Sequence, residues 1–228
     1  KQLNPDIIHL TCPFGISLQV KNYAKKNNIP FLFTYHSDFE EYMKSNNFSR
    51  MFIPIFRLRF TTLYSKSIVL TPSERTMQYL NDLPYTMKKH RATTLMWGRP
   101  VNHTIFNPEN KSSEFRDSLN INESDVILLW VSRIVKTKKP IFFINIANQI
   151  MKTNENVQTI IVGNGPELEN MKSKMRFENR THFLGFQDHT TLPTIYASSD
   201  IFILPSPVET FGNVTLEMLV ESYTEKPT

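Results

Sequence analysis

The chain has 228 residues, 40% apolar and 12% aromatic, enough to bury a core in one or two domains. It contains no run of about 18 apolar residues, so a membrane-spanning helix is not expected. Its one cysteine, Cys12, excludes an internal disulfide framework and predicts a reducing compartment, the cytoplasm, with the thiol as a small buried hydrophobe.

In chain order, the first predicted strands are 6–10, 30–35, 67–70 and 92–97, with helical patterns near 15–27, 49–65 and 73–82 between them. From Gly98 to about Asp125 the chain turns polar, with Pro100, Pro108 and many Asn and no strand pattern. That shift predicts a domain boundary, giving units 1–100 and 101–228. Strands then return at 126–132, 157–163, 181–186 and 200–205, with helices near 138–153, 165–176, 190–198 and 212–222. Strands of continuous apolar character, each followed by a helix, predict parallel sheets covered on both faces. The fold class is therefore α/β, with two Rossmann-like units whose strand carboxyl ends carry the ligand loops and face a crevice. The chain starts at Lys1 on a linker-like stretch and stops where another strand is expected, so both units are expected to be incomplete. Six Asn-x-Ser/Thr sequons carry no weight without a signal peptide.

The net charge of +5 is unevenly spread. Residues 1–100 hold 14 Lys and Arg against 6 Asp and Glu, whereas residues 101–228 hold 12 against 15. The basic part is expected to meet an anionic surface; no recognition motif or aromatic-basic repeat supports nucleic acid. Within it, the stretch 48–66 intersperses Arg50, Arg57, Arg59 and Lys66 among Phe, Met, Ile and Leu, with Pro54 breaking or opening the helix. It reads either as a core helix or as a basic-hydrophobic face for anionic lipid.

The chemistry-bearing residues cluster at strand ends. "PSPVETFGNVTLE" (205–217) follows the last strand and sets Glu209, Gly212 and Glu217 around the start of a helix, whose free N–H groups and dipole favour anions. Acids at a helix start also stabilise the helix by themselves. Arg133 ends the strand 126–132, and Lys138 follows at a helix start, within a turn that also holds Lys136 and Lys139. "GNGP" (163–166) is a tight turn too weak to be read as a phosphate loop.

These motifs resemble, in order, those of retaining family-4 glycosyltransferases with the GT-B fold. The E-x7-E pair Glu209/Glu217 is similar to their nucleotide-sugar signature, and "PDIIHLTCPFG", "YHSDFEEY", "LTPSERT", "WGRPVNHTIFNP", "VSRIVKTKKP", "IIVGNGPELE" and "HFLGF" complete the series. The likeness is greatest to the α-mannosyltransferase and sulfoquinovosyl-type glycolipid synthase branch. It implies transfer of a hexose from a GDP- or UDP-linked sugar to a membrane glycolipid, without a metal or other cofactor, by a peripheral membrane enzyme. It implies Arg133 and Lys138 on the diphosphate, Glu217 on the ribose, Glu209 on the donor sugar, and backbone of Gly185 and Phe186 at the base. Phe211, Gly212 and Asn213 line the phosphates, and His36 contacts the acceptor hydroxyl and sugar. Asp38, Glu40 and Glu41 are rival bases, although front-side attack needs none. The chain departs from the family pattern in having no Gly-rich loop before "PDIIHL", Pro100 for glycine, Asn102 for aspartate, and no glycine after Glu217. A degenerate GT-B module that binds nucleotide sugar or a protein partner without turnover is the alternative. A phosphorylase or epimerase on this scaffold lacks its recognisable residues.

Overall fold

Short β-branched runs separated by helices of one to four turns build two units, seen in a computed structural model. It describes residues 4–13, 15–36, 39–44, 50–83, 90–98, 100–207, 209 and 212–222. One unit comprises residues 1–99 together with 208–211; the other comprises 100–207 and 212–228.

The first unit runs β1 (Ile8–Leu10), α1 (Ser17–Lys26), β2 (Phe31–Thr34), α2 (Phe39–Lys44), α3 (Ile53–Tyr64), β3 (Ile68–Thr71), α4 (Glu74–Asn81) and β4 (Thr93–Met96). Its strands pair in parallel in the order β1-β2-β3-β4. Crossovers of the usual right hand between strands laid down in sequence order place their helices on one side of a sheet. Accordingly Phe60, Leu63 and Tyr64 of α3 and Leu80 of α4 share one core with Phe33 and Val69 of the sheet. This corrects the expectation of cover on both faces. Ile68 and Leu95, which occupy the alternate strand positions, stay 43% and 47% exposed. Cys12 is also exposed rather than buried, since it lies in the loop beyond β1.

Helix α3 shows both characters anticipated for the stretch 48–66. Pro54 opens it, within the first turn where no amide partner is lost. One stripe enters the core, while Ile55 and Leu58 on the helix and Met51 in the turn before it are 62%, 60% and 70% exposed. Arg57 does not belong to that open stripe. Its Nε and Nη2 donate to the two Glu40 oxygens at 2.8 and 2.7 Å. At the far end of α3, the buried Lys21 ammonium donates to the carbonyls of Thr62, Leu63 and Ser65 at 2.5 to 3.0 Å. It supplies donors that the helix terminus lacks.

The second unit opens on α5 (Ser113–Ser118) and continues β5 (Val126–Val131), α6 (Pro140–Thr153), β6 (Val157–Val162), α7 (Leu168–Lys172), β7 (Thr181–Gly185), α8 (Leu192–Ala197), β8 (Ile201–Phe202) and α9 (Asn213–Ser222). The parallel order is β7-β6-β5-β8. The chain builds outward from β5 to β7, then crosses back to lay β8 on the other side of β5. Reversal of direction places helices on both faces. Trp130, Leu128 and Ile161 pack under α6 and α7. Ile127, Leu129 and Ile160 pack under α8, with Phe115, Val214 and Met218 against them. Every residue of β6 is buried, as a central strand between two helical layers requires. The buried Arg116 ties the edges together, donating to the Ser198, Asn122, Glu123 and Asp125 carbonyls and to Asp200.

Candidate functional site

A parallel sheet whose strand order reverses has a crevice at the carboxyl ends flanking the reversal. Here the reversal lies between β5 and β8, so the chain leaving β5 toward Arg133 and the chain leaving β8 toward α9 emerge side by side. The pairing continues past β8, with the Ile203 amide donating to the Leu129 carbonyl at 2.9 Å.

Arg133 is exposed, but the backbone that carries it is fixed. Ile134 next to it is fully buried, and its amide and carbonyl bond to the Asn164 carbonyl and Glu167 amide at 2.9 and 3.1 Å. The glycines of "GNGP" make this seat possible. A Cβ on Gly163 would lie 1.9 Å from the Ser132 carbonyl oxygen, and one on Gly165 2.3 Å from that of Ile134. Gly163 also has φ +132°. The turn therefore serves by close approach to the Arg133 segment, a role that sequence reasoning missed.

The three lysines that follow differ from one another. Lys136 is exposed and 3.9 Å from Glu167. Lys138 is half-buried in a single 3-10 turn, and Lys139 adopts the left-handed conformation that turns the chain into α6 at Pro140.

Gly212 (φ +83°) precedes Asn213, the exposed first residue of α9, and Glu217 follows about one turn in. Glu217 is half-buried and accepts from the Tyr196 hydroxyl at 3.1 Å through Oε2. Burial raises its carboxyl above the ordinary range, against the opposing pull of the Tyr196 hydrogen bond and the His189 charge. Tyr196 in turn packs on Phe106, whose ring meets His189 edge-on at 5.9 Å. Tyr196 and His189 were not anticipated; no spacing rule links Tyr196 to an acid 21 residues later. At the end of β7 the register slips, so that Val162 faces Gly185. Gly185 takes φ +68°, and Phe186 stands 78% exposed.

Glu209 is half-buried and groups with the first unit, not with residues 101–228 as expected. In that unit His36, exposed, follows the buried Tyr35 just beyond β2. Glu40 is not a poised base. Burial alone would raise its carboxyl, but hydrogen bonds from Arg57, Tyr79 and Lys44 and the Arg57 charge hold it below the usual range. Phe211, Asp38 and the Glu41 side chain lie outside the described residues.

Known proteins match this layout. A family model described as "Glycosyl transferases group 1" covers residues 111–220, and one described as "Glycosyltransferase Family 4" covers residues 1–92. The chain belongs to the family-4 glycosyltransferases with the GT-B fold. Among curated glycosyltransferases it is 26% identical to a sulfoquinovosyl transferase of Arabidopsis thaliana, over 96% of this chain and 41% of the relative. It is likewise 26% identical to an alpha-monoglucosyldiacylglycerol synthase of Streptococcus pneumoniae, over 96% and 51%. A GDP-mannose-dependent alpha-mannosyltransferase of Corynebacterium glutamicum is 26% identical over 92% and 48%. The chain thus spans about half the length of these relatives. Among solved structures, sucrose-phosphate synthase from Thermosynechococcus elongatus superposes with TM-score 0.72 at 20% identity, over 94% of this chain and 53% of that one. Anabaena HepE in complex with UDP-glucose gives TM-score 0.72 at 17% identity, over 95% and 57%.

Proposed function

We propose that the parent protein of this glycosyltransferase chain moves a hexose from a GDP- or UDP-linked sugar to a membrane glycolipid acceptor, with retention at the anomeric carbon and without a metal. The observation that carries this reading is the reversal point between β5 and β8, where Arg133 and the approach to α9 leave the sheet together. A nucleoside diphosphate leaving group needs positive charge and fixed dipoles there. Arg133 and Lys138 supply the charge. The N-terminus of α9, a helix of 10 residues, supplies free amides at Gly212 and Asn213. The free oxygen of Glu217 accepts the ribose hydroxyls, and Phe186 with Gly185 offers an apolar edge to the base. Glu209 steadies the sugar ring, and His36 contacts the acceptor hydroxyl. The relative named for a glucosyldiacylglycerol product supports a lipid acceptor.

Calorimetric titration with UDP and GDP, with and without EDTA, tests the site. Arg133→Ala removes a charge-assisted contact and lowers nucleotide affinity by at least about tenfold. Unchanged affinity in the variant, or binding abolished by EDTA, overturns the assignment. Tight binding by a parent protein that transfers no sugar from any donor favours a binding module instead.

A further inference from the structure

On the second unit, α6 and the turn after α7 enclose a groove of about 720 Å³ that shares no residue with the proposed nucleotide site. Asn148 builds its floor. The Asn148 amide donates to the Lys174 carbonyl at 2.9 Å and its oxygen accepts from the Arg176 amide at 3.0 Å, clamping the turn against the helix. Around this clamp the charge is of one sign. Lys152, Lys174 and Arg176 line the groove, no carboxylate does, and none of the three makes an ion pair among the described residues.

The cations gather toward the end of α6, where bare carbonyls would repel an anion. Arg180 reduces that obstacle, donating to the Met151 carbonyl in the last turn at 2.9 Å and to the Asn154 and Glu155 carbonyls just beyond it at 2.8 and 2.9 Å. Toward the other end the lining is neutral. Asn145 and Gln149 have no hydrogen-bond partner among the described residues, and each offers both donors and an acceptor. The exposed Phe142, seven residues before Gln149, lies on the same side of the helix. From Ile141 to Lys152 the groove follows α6 for about 16 Å.

We propose that this groove is a second binding site for a phosphate-bearing polyol, either a free sugar phosphate or the headgroup of an anionic lipid. Lys152, Lys174 and Arg176 take the phosphate by charge-assisted hydrogen bonds. Cations alone would accept any anion; the amides of Asn145 and Gln149 select hydroxyls, which both donate and accept.

The test titrates the chain by calorimetry with glucose 6-phosphate, glucose and inorganic phosphate. It also co-sediments the chain with phosphatidylglycerol or phosphatidylcholine vesicles. Glucose 6-phosphate or phosphatidylglycerol binds at least about tenfold more tightly than inorganic phosphate, glucose or the neutral vesicle. Lys174→Glu with Arg176→Glu abolishes glucose 6-phosphate binding and lowers phosphatidylglycerol binding, and Lys152→Glu on the separate helix surface weakens each independently. Gln149→Ala weakens glucose 6-phosphate but not inorganic phosphate. A response to glucose 6-phosphate identifies a soluble source; a response confined to phosphatidylglycerol and lowered by the groove's charge reversals identifies a lipid headgroup. UDP and GDP affinities stay at the wild-type level in every variant, which separates this site from the nucleotide reading. Inorganic phosphate binding as tightly as the polyols, no binding by any probe, or binding indifferent to the charge reversals overturns the proposal.

Discussion

Lys21 is 2% exposed, yet it carries an ammonium against three backbone carbonyls. Burial, with the like charge of Lys25, pushes its pKa down to about 8. A lysine lowered in the folded state binds fewer protons there than when unfolded, so stability rises with pH between about 8 and the ordinary lysine range. Wild type should gain on Lys21→Met across that window by at most about 3 kcal/mol, read from urea unfolding at each pH. Parallel pH profiles would refute it. Glu217 is shifted in the other direction, its carboxyl raised by burial. Its raised carboxyl takes up a proton at higher pH than an ordinary glutamate and then no longer accepts both ribose hydroxyls. Nucleotide affinity should weaken as pH falls through that raised range, and Glu217→Gln should remove the dependence while lowering affinity at neutral pH. Glu209→Gln, by contrast, should chiefly lower turnover of the parent enzyme. Equal losses of free-nucleotide affinity in the two variants would show that these roles are misassigned.

At the scale of elements, the alternation of strand and helix was legible throughout, because buried parallel strands write unbroken apolar runs such as "VILLWV". Two kinds of element were not. Helix α5 hides in the Asn- and Pro-rich stretch, and its signal is a cap rather than a pattern: Ser112 accepts from the Phe115 amide at 3.1 Å. The helix expected from 165 to 176 shrinks to Leu168–Lys172 because Gly165 is held against Ile134 and the chain turns away after Lys172. Residue types at the candidate site were readable from motifs, but Tyr196 under Glu217 and the glycine seat under Arg133 were not. Both depend on contacts between elements that a single sequence does not encode locally. The seat gives a test. Gly165→Ala forces a methyl into the Ile134 carbonyl and should destabilise the fold by about 1–3 kcal/mol. Nucleotide affinity should also drop about tenfold at temperatures where the variant is folded. Gly98→Ala meets no atom within 4 Å and serves as the neutral control. Wild-type affinity in a folded Gly165→Ala would remove the positioning role.

Across the whole molecule the positive charge resides in residues 1–100, and within them an apolar stripe on α3 stands open beside Arg59. Each Lys or Arg near an anionic bilayer contributes on the order of 1 kcal/mol, and inserted apolar area adds to that. The parent protein should therefore co-sediment with anionic vesicles and detach as salt screens the field. Arg57 is unsuitable as a probe because reversing it would set two acids together at Glu40. Arg59→Glu with Leu58→Ser instead alters only exposed atoms of α3. It should weaken binding to anionic vesicles, whatever the groove on α6 contributes, and leave UDP and GDP binding unchanged. A folded double variant that still binds anionic vesicles as wild type does would point to a soluble acceptor.

The exposed position of Cys12 has a practical consequence. It is the single thiol of the sequence and lies at the surface of the loop beyond β1, so a maleimide dye or spin label should attach at one place without denaturant or prior mutagenesis. The molecule thus brings its own reporter, placed on the loop side of the first unit. Fluorescence or electron-spin readings from that one position can follow lipid binding in unmodified sequence, with no background from a second label.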